Sequence, residues 1–158
     1  MPSVGTSFHI DHSEVSRYVA RTFGTAGYRR FLNEMTTGFL KGAEIARDES
    51  NDLIKGGKGS NLAKSAKVST RVSGSAIQSI VEWTAKYARW VNDGRGPVVA
   101  IRARALRFVI DGQVFFRRSV GPSRPVRYAE RGLAAAKPAI RDEINAGIRR
   151  WVAWAESA

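Results

Sequence analysis

Two histidines, His9 and His12, stand three residues apart near the start of the chain. On a helix that spacing puts two imidazoles on one face, as a metal site requires. Zinc also needs a third and usually a fourth protein ligand. The chain has no cysteine, and Asp11 would point away from the shared face. His9 also precedes the expected helix start, so the pair reads as exposed N-terminal histidines. Asp48, Glu49 and Asp52 are close enough in sequence to suggest paired-carboxylate chemistry, which needs two acids in one cleft. They fall on the polar side of an amphipathic helix pattern, where solvated charges are the ordinary outcome. Glu82 and Asp93 sit among aromatic residues but have no second acid nearby in sequence. Neither histidine accompanies a serine motif such as Gly-x-Ser-x-Gly, so no hydrolytic triad is legible.

The run Ile54-Lys55-Gly56-Gly57-Lys58-Gly59-Ser60-Asn61 is glycine-rich and basic. A phosphate-cradling loop needs Gly-x-x-x-x-Gly-Lys-Ser/Thr at the end of a strand. Here Lys58 is followed by Gly59, and no strand pattern precedes it. The run reads as a loop over 54–61 that is open to a partner. These residues predict no catalytic site, no metal and no cofactor, and therefore a non-enzymatic chain.

Charge is the stronger signal. Lys and Arg number 26 against 14 Asp and Glu, a net charge of +12. A field of that sign favours nucleic acid or an acidic face on another protein. The arginines crowd the later half: Arg89, Arg95, Arg102, Arg104, Arg107, Arg117, Arg118, Arg124, Arg127 and Arg131. Arg102, Arg104, Arg107, Arg117 and Arg118, with Lys55 and Lys58 from the glycine-rich loop, form the candidate assembly surface. Arginine also interleaves with aromatics at Arg107-Phe108 and Phe115-Phe116-Arg117-Arg118. That pattern suits a stacking and phosphate surface for nucleic acid. It suits equally a sheet with an apolar inner face and a basic outer one. No helix-turn-helix, zinc-finger or RNP-type signature accompanies it.

The elements that must carry this surface follow from periodicity. A chain of 158 residues fits a single domain over 1–158, and an apolar fraction of 43% separates it from disordered chains. The N-terminus lacks the basic start and apolar core of a signal peptide. The longest apolar runs, such as Val98-Val99-Ala100-Ile101, fall far short of the ~20 residues of a membrane span. A soluble protein is expected. Residues 1–10 carry little pattern and are expected to be a flexible arm. Asp11 and Glu14 are spaced as a capping pair, opening a short helix that stops at Gly24. A second helix follows Thr25, with Tyr28, Phe31, Leu32, Met35, Phe39, Ala43, Ala46 and Leu53 on one stripe. Gly38 and Gly42 each weaken it by about 1 kcal/mol relative to alanine, which points to close packing against a neighbour.

Residues 67–73 and 76–83 read as a hairpin turned at Gly74-Ser75. Leu106 to Ile110 and Gln113 to Arg117 read as a second, with Asp111-Gly112 suiting a two-residue turn. Both hairpins are expected in one antiparallel sheet. Pro125 is expected in the first turn of a long C-terminal helix. Its apolar face is Val126, Ala129, Leu133, Ala136, Ile140, Ile144, Ile148, Trp151 and Ala155, and the phase holds across Pro138. The fold class is therefore α+β: a small antiparallel sheet with two hairpins, packed against a long helix in the N-terminal half and a long kinked C-terminal helix.

Between the hairpins lies Tyr87-Ala88-Arg89-Trp90-Val91-Asn92-Asp93-Gly94-Arg95-Gly96-Pro97. This aromatic and aliphatic segment stops on glycines and a proline. Tyr87, Trp90, Val91, Gly94 and Pro97 are read as a structural joint, with Tyr87, Trp90 and Val91 pinning the end of the sheet to the core. From here the chain resembles the tail-completion, or neck, proteins of long-tailed double-stranded DNA bacteriophages. Their pattern is Tyr-Ala-x-x-Val-x-x-Gly, a variable hairpin and a proline-led terminal helix. This chain has Tyr87-Ala88-Arg89-Trp90-Val91-Asn92-Asp93-Gly94, the Asp111-Gly112 hairpin and Pro125-Val126-Arg127-Tyr128. Where the family has Pro and then Thr-Gly-x-Leu-x-x-Ser, it has Gly59-Ser60-Asn61-Leu62-Ala63-Lys64-Ser65. The resemblance covers residues 25–155. It implies a non-enzymatic virion component, made in the host bacterial cytoplasm. It further implies a homo-oligomeric ring, expected to be hexameric, between the tail terminator and the head connector. Its partners would be neighbouring neck and tail proteins, with non-specific contact to the passing DNA. The other reading of the charge is a small basic nucleic-acid-binding protein.

Overall fold

The computed structural model describes residues 4–73, 76–110 and 112–157. Strand β1 (Val4–Asp11) leads into the long helix α1 (Ser13–Asp52). A 3-10 turn (Gly57–Gly59) and the short α2 (Asn61–Lys64) connect it to β2 (Ala66–Ser73) and β3 (Ala76–Trp83). After α3 (Ala88–Asp93) come β4 (Val98–Val99), β5 (Leu106–Ile110), β6 (Gln113–Arg117) and β7 (Ser119–Val120). The long helix α4 (Tyr128–Ser157) ends the fold. Long helices and small antiparallel sheets packed together make this an α+β protein.

The predicted stripe forms the buried side of α1: Phe31, Met35, Phe39, Ala43 and Ala46 are all in the core. Gly24 sits at φ 64, ψ −163, a left-handed conformation that only glycine adopts without a Cβ penalty. The expected stop there is a kink between two helical stretches. Helix α4 runs antiparallel to α1, and its phase continues through Pro138. The glycines explain how closely the two helices lie. A Cβ on Gly38 would come within 2.9 Å of the Glu143 carbonyl oxygen, and one on Gly132 would overlap Ser50. The helix-weakening glycines are therefore contact points, as their spacing suggested.

The main sheet has the order β1-β3-β2, antiparallel throughout. Ile77, Ser79, Val81 and Trp83 alternate into the core from β3, as the period of two requires. Buried Ser79 keeps its hydroxyl satisfied by Thr70, 2.6 Å away. Trp83 ties three elements together. Its Nε1 donates to Asn51 Oδ1 at the end of α1 (2.9 Å), and its ring meets Tyr128 of α4 edge-on at 4.9 Å.

Several expectations change. Residues 4–10 are not a flexible arm: they belong to an eight-residue strand on β3. Val4, Thr6 and Phe8 face inward, and Phe8 stacks on Phe39 at 5.3 Å. The weak residues between them, Gly5, Ser7 and His9, hid that alternation. The Asp11–Glu14 capping pair gives way to His12 at the cap position, with Asp11 Oδ1 accepting from the Ser13 N–H at 2.8 Å. The 54–61 loop is more ordered than its glycines suggest, with Ile54 in the core and Ser60 capping α2. Pro125 lies outside α4, which begins three residues later. The two hairpins form, but the second does not join the main sheet. It pairs within itself instead, as β5 with β6, and its base as β4 with β7. The turn residues Gly74, Ser75 and Asp111 lie outside the described residues. Among the described residues no helix is long and apolar enough to cross a membrane.

Candidate functional site

The segment after Tyr87 becomes α3 because two small residues one turn apart, Ala88 and Asn92, can enter the core. Asn92 is only 2% exposed and satisfies every polar group it buries. Its Oδ1 accepts from the Ala129 N–H at 3.1 Å, and its Nδ2 donates to Asp93 Oδ1 (2.8 Å) and Glu130 Oε1 (3.1 Å). Its carbonyl accepts from the Arg127 N–H at 2.9 Å. Asn92 thus does for α4 what an N-cap residue does locally, from 37 residues away. The Val126 N–H adds a bond to the Val91 carbonyl (3.1 Å). Beside this cap, the Tyr128 hydroxyl reaches the Ala88 carbonyl at 3.4 Å. Burial, reinforced by the charges of Asp93 and Glu130, raises the Tyr128 phenol well above its ordinary range.

The joint therefore exists, with anchors that differ in part from those expected. Tyr87 and Trp90 are exposed, Trp90 by 54%, and Val91 is half-buried. Val91 packs against the core, beside the fully buried Ala88 and Asn92. Sequence reasoning passed over Asn92 because a remote cap leaves no local spacing to read. Gly94 is the pinch point. At φ 76 its Cα lies so close to the returning chain that a Cβ would sit 2.7 Å from the Ser123 carbonyl oxygen and 2.9 Å from the Pro125 nitrogen.

Beyond Gly94 the chain leaves the body and returns beside itself in two short antiparallel ladders, with residues 101–105 outside both. Arg95 and Ser123 exchange both backbone hydrogen bonds (3.2 and 3.0 Å). β4 pairs with β7, the Ala100 N–H reaches the Arg118 carbonyl at 3.0 Å, and β5 pairs with β6. Among the described residues no strand of the main sheet pairs with this stretch. Its apolar contacts are few: Phe108 stacks on Phe115 at 5.9 Å. Where it meets α3, Trp90, Pro97, Val98, Leu106, Phe108 and Val120 line a groove of about 750 Å³ with Arg95 and Arg107 at its margin.

This arm brings together five of the seven candidate surface residues. Arg102, Arg104, Arg107, Arg117 and Arg118 are all exposed on it. Residues 95–124 hold seven arginines, no lysine and one acid, Asp111, a net +6 and half of the chain's +12. Large apolar side chains share the surface, including Ile101 at 92% exposure and Phe116 at 66%. Exposed apolar area mixed with charge is the signature of an interaction face. Lys55 and Lys58 are elsewhere. Both follow α1, and Lys58 turns back to Asp48 (3.7 Å) and Asp52 (4.0 Å).

The two histidines part company. His9 is exposed on β1, whereas His12 is buried to 4% exposure. This corrects the expectation that both are surface residues. The His12 ring lies edge-on to Phe31 at 5.9 Å, and its Nδ1 is hydrogen-bonded to Ser16 Oγ. Among the described residues no three His, Cys, Asp or Glu side chains cluster as a metal site. No family model matches this chain, and neither a curated protein nor a solved structure matches it significantly.

Proposed function

We propose that this protein is a structural component of a phage neck, a tail-completion or head–tail joining protein that assembles as a homo-oligomeric ring between the tail terminator and the head connector. The observation that carries the reading is the arm over 95–123. A two-stranded hairpin is at best marginally stable alone, and this one leaves Ile101 and Phe116 facing out. Such a surface is suited to being covered by a neighbour. The pinch at Gly94 and the Asn92 cap hold its base at a fixed place on the body, as an assembly element needs. The resemblance over residues 25–155 gives the neighbours their identity: further copies in a head-to-tail ring, then the flanking neck and tail proteins. The net +6 of residues 95–124 favours acidic faces on those partners. The test is sedimentation and negative-stain imaging of the purified chain, alone and with connector and tail-tube proteins. A ring that co-sediments with them, and is lost on Arg107→Glu with Arg117→Glu, is the expected result. A monomer that binds neither partner would falsify the reading.

A second reading, a small basic nucleic-acid-binding protein, draws on the same seven arginines and on the exposed Trp90 and Phe116 as stacking platforms. Salt separates the two. Binding to DNA through phosphate contacts falls steeply and log-linearly with salt, whereas stoichiometric assembly through an apolar interface persists.

A further inference from the structure

β1 is an edge strand of the main sheet: among the described residues it pairs only with β3, and its other edge is unpaired. Along that edge runs an apolar groove of about 700 Å³, walled by Phe8, Phe31, Met35, Ile140, Ile144 and Trp151. Ser7, Phe8 and His9 all line it. Consecutive strand residues point to opposite faces, so a groove touching all three opens on the strand's edge rather than beneath one face. On its far side α4 supplies Lys137 and Arg141. Both are exposed and form no ion pair among the described residues. Asp11, held to the Ser13 N–H, is the one carboxylate on the lining. His12 also lines the groove, and its buried Nε2 has no hydrogen-bond partner.

We propose that this groove receives an extended segment of a partner protein as a fourth strand on β1, with alternate apolar side chains on α4 and an acidic side chain against Lys137 and Arg141. Adding a strand satisfies the free edge with main-chain hydrogen bonds while side-chain pockets give selectivity. The segment also brings polar groups within reach of His12 Nε2. A second copy of this chain fits poorly, because its exposed apolar strands lie in the arginine-rich arm and would meet Lys137 and Arg141 with like charge. The inference does not rest on the neck reading, since it concerns β1 and α4 and not the arm.

The test is selection of strand-length random peptides displayed against the full chain. Enriched peptides are expected to alternate apolar and polar residues and to carry Asp or Glu. Their affinity should fall about tenfold or more on Lys137→Glu with Arg141→Glu and stay unchanged on Lys64→Glu with Lys86→Glu, two exposed lysines outside the groove and the arm. That contrast separates the groove from general attraction of acids to a basic chain. N-methylation of a selected peptide at one set of alternate residues should abolish binding, and at the other set should not. His12→Gln should weaken binding with the fold intact by circular dichroism. Failure to enrich any peptide, peptides without alternation, or indifference to the Lys137 and Arg141 reversals would overturn the proposal. So would a dimer of the chain alone that those reversals strengthen, since a second copy would then fill the groove.

Discussion

Residues 4–93 with 126–157 contain every fully buried apolar side chain among the described residues, whereas residues 95–123 contain none and expose Ile101, Val109, Val114 and Phe116. In the body, Trp83, Tyr128, Phe39 and Ile77 are fully enclosed, and the glycines of α1 and α4 let two long helices lie almost backbone to backbone. In the arm, strand pairing supplies the order, and the Phe108–Phe115 stack with the half-buried Leu106 and Val120 supplies the packing. One chain has thus divided its work: the body is stabilised by what it hides, and the arm is equipped by what it leaves exposed. At the base of the arm stands Asn92, which closes α3 where the chain leaves the body and caps α4 where it returns.

The contrast breaks first, if it breaks, at Trp83. Removing the indole in Trp83→Ala empties the meeting point of β3, α1 and α4 and strands the Asn51 side chain. The loss expected is about 3–5 kcal/mol, against a total stability of about 5–15 kcal/mol for a domain of this kind. A urea titration followed by circular dichroism measures it. A midpoint within error of the wild type would mean that the core is not organised around this residue.

Asn92→Ala comes next, at about 2–3 kcal/mol, because the cap is lost and the buried Ala129 N–H is left without a partner. Asn92→Asp keeps the accepting oxygen but sets a carboxylate beside Asp93 and Glu130. It should recover only part of the loss, and more of it as pH falls. If Asn92→Ala unfolds at the same urea concentration as the wild type, the joint is held by something other than this cap.

What the sequence revealed divides along the same line. The α1 stripe, the β2–β3 hairpin, the arm hairpin and the phase of α4 were legible because each is a local repeat that a few residues can declare. The fate of β1 was not, since its partner strand lies some seventy positions later and its outward residues, Gly5, Ser7 and His9, carry no strand preference. Asn92 was missed for a related reason: its hydrogen bonds join positions 37 residues apart. The arginines were read as a surface from charge alone. Their gathering on one arm, and the separation of Lys55 and Lys58 from it, depended on the second hairpin pairing only within itself.

Tyr128 gives a smaller, pH-dependent effect on the body side. Its phenol is raised in the folded state, whereas an unfolded tyrosine titrates near about 10. Below that pH both states hold the proton and the group contributes no slope. Above it the unfolded chain releases a proton that the folded one keeps, so stability falls by about 1.4 kcal/mol per pH unit until the folded phenol also ionises. Tyr128→Phe removes this share, so its loss of stability between pH 9 and 11 should be shallower than the wild type's by about that slope. Parallel urea midpoints across that range would show that Tyr128 titrates as an ordinary exposed phenol.

The smallest expected effect on folding is the most informative about the arm. Phe116 is large and apolar, and in the body a residue of its kind would be core. On the arm it is 66% exposed, so Phe116→Ser should shift stability by no more than about 0.5 kcal/mol. Aromatic residues and arginines are the side chains most often found to dominate interfaces, at about 2 kcal/mol or more each. If the arm is an assembly element, the same substitution should therefore weaken self-association by about tenfold or more while the urea midpoint of the monomer stays in place. Sedimentation velocity and urea titration on one preparation give both numbers. Loss of monomer stability on the scale of Trp83→Ala would mean that Phe116 packs on the body, and the arm would then be part of the core it is contrasted with. Unchanged association at unchanged stability would instead move the assembly surface off this face of the arm, onto Ile101 and the strands β4 and β7.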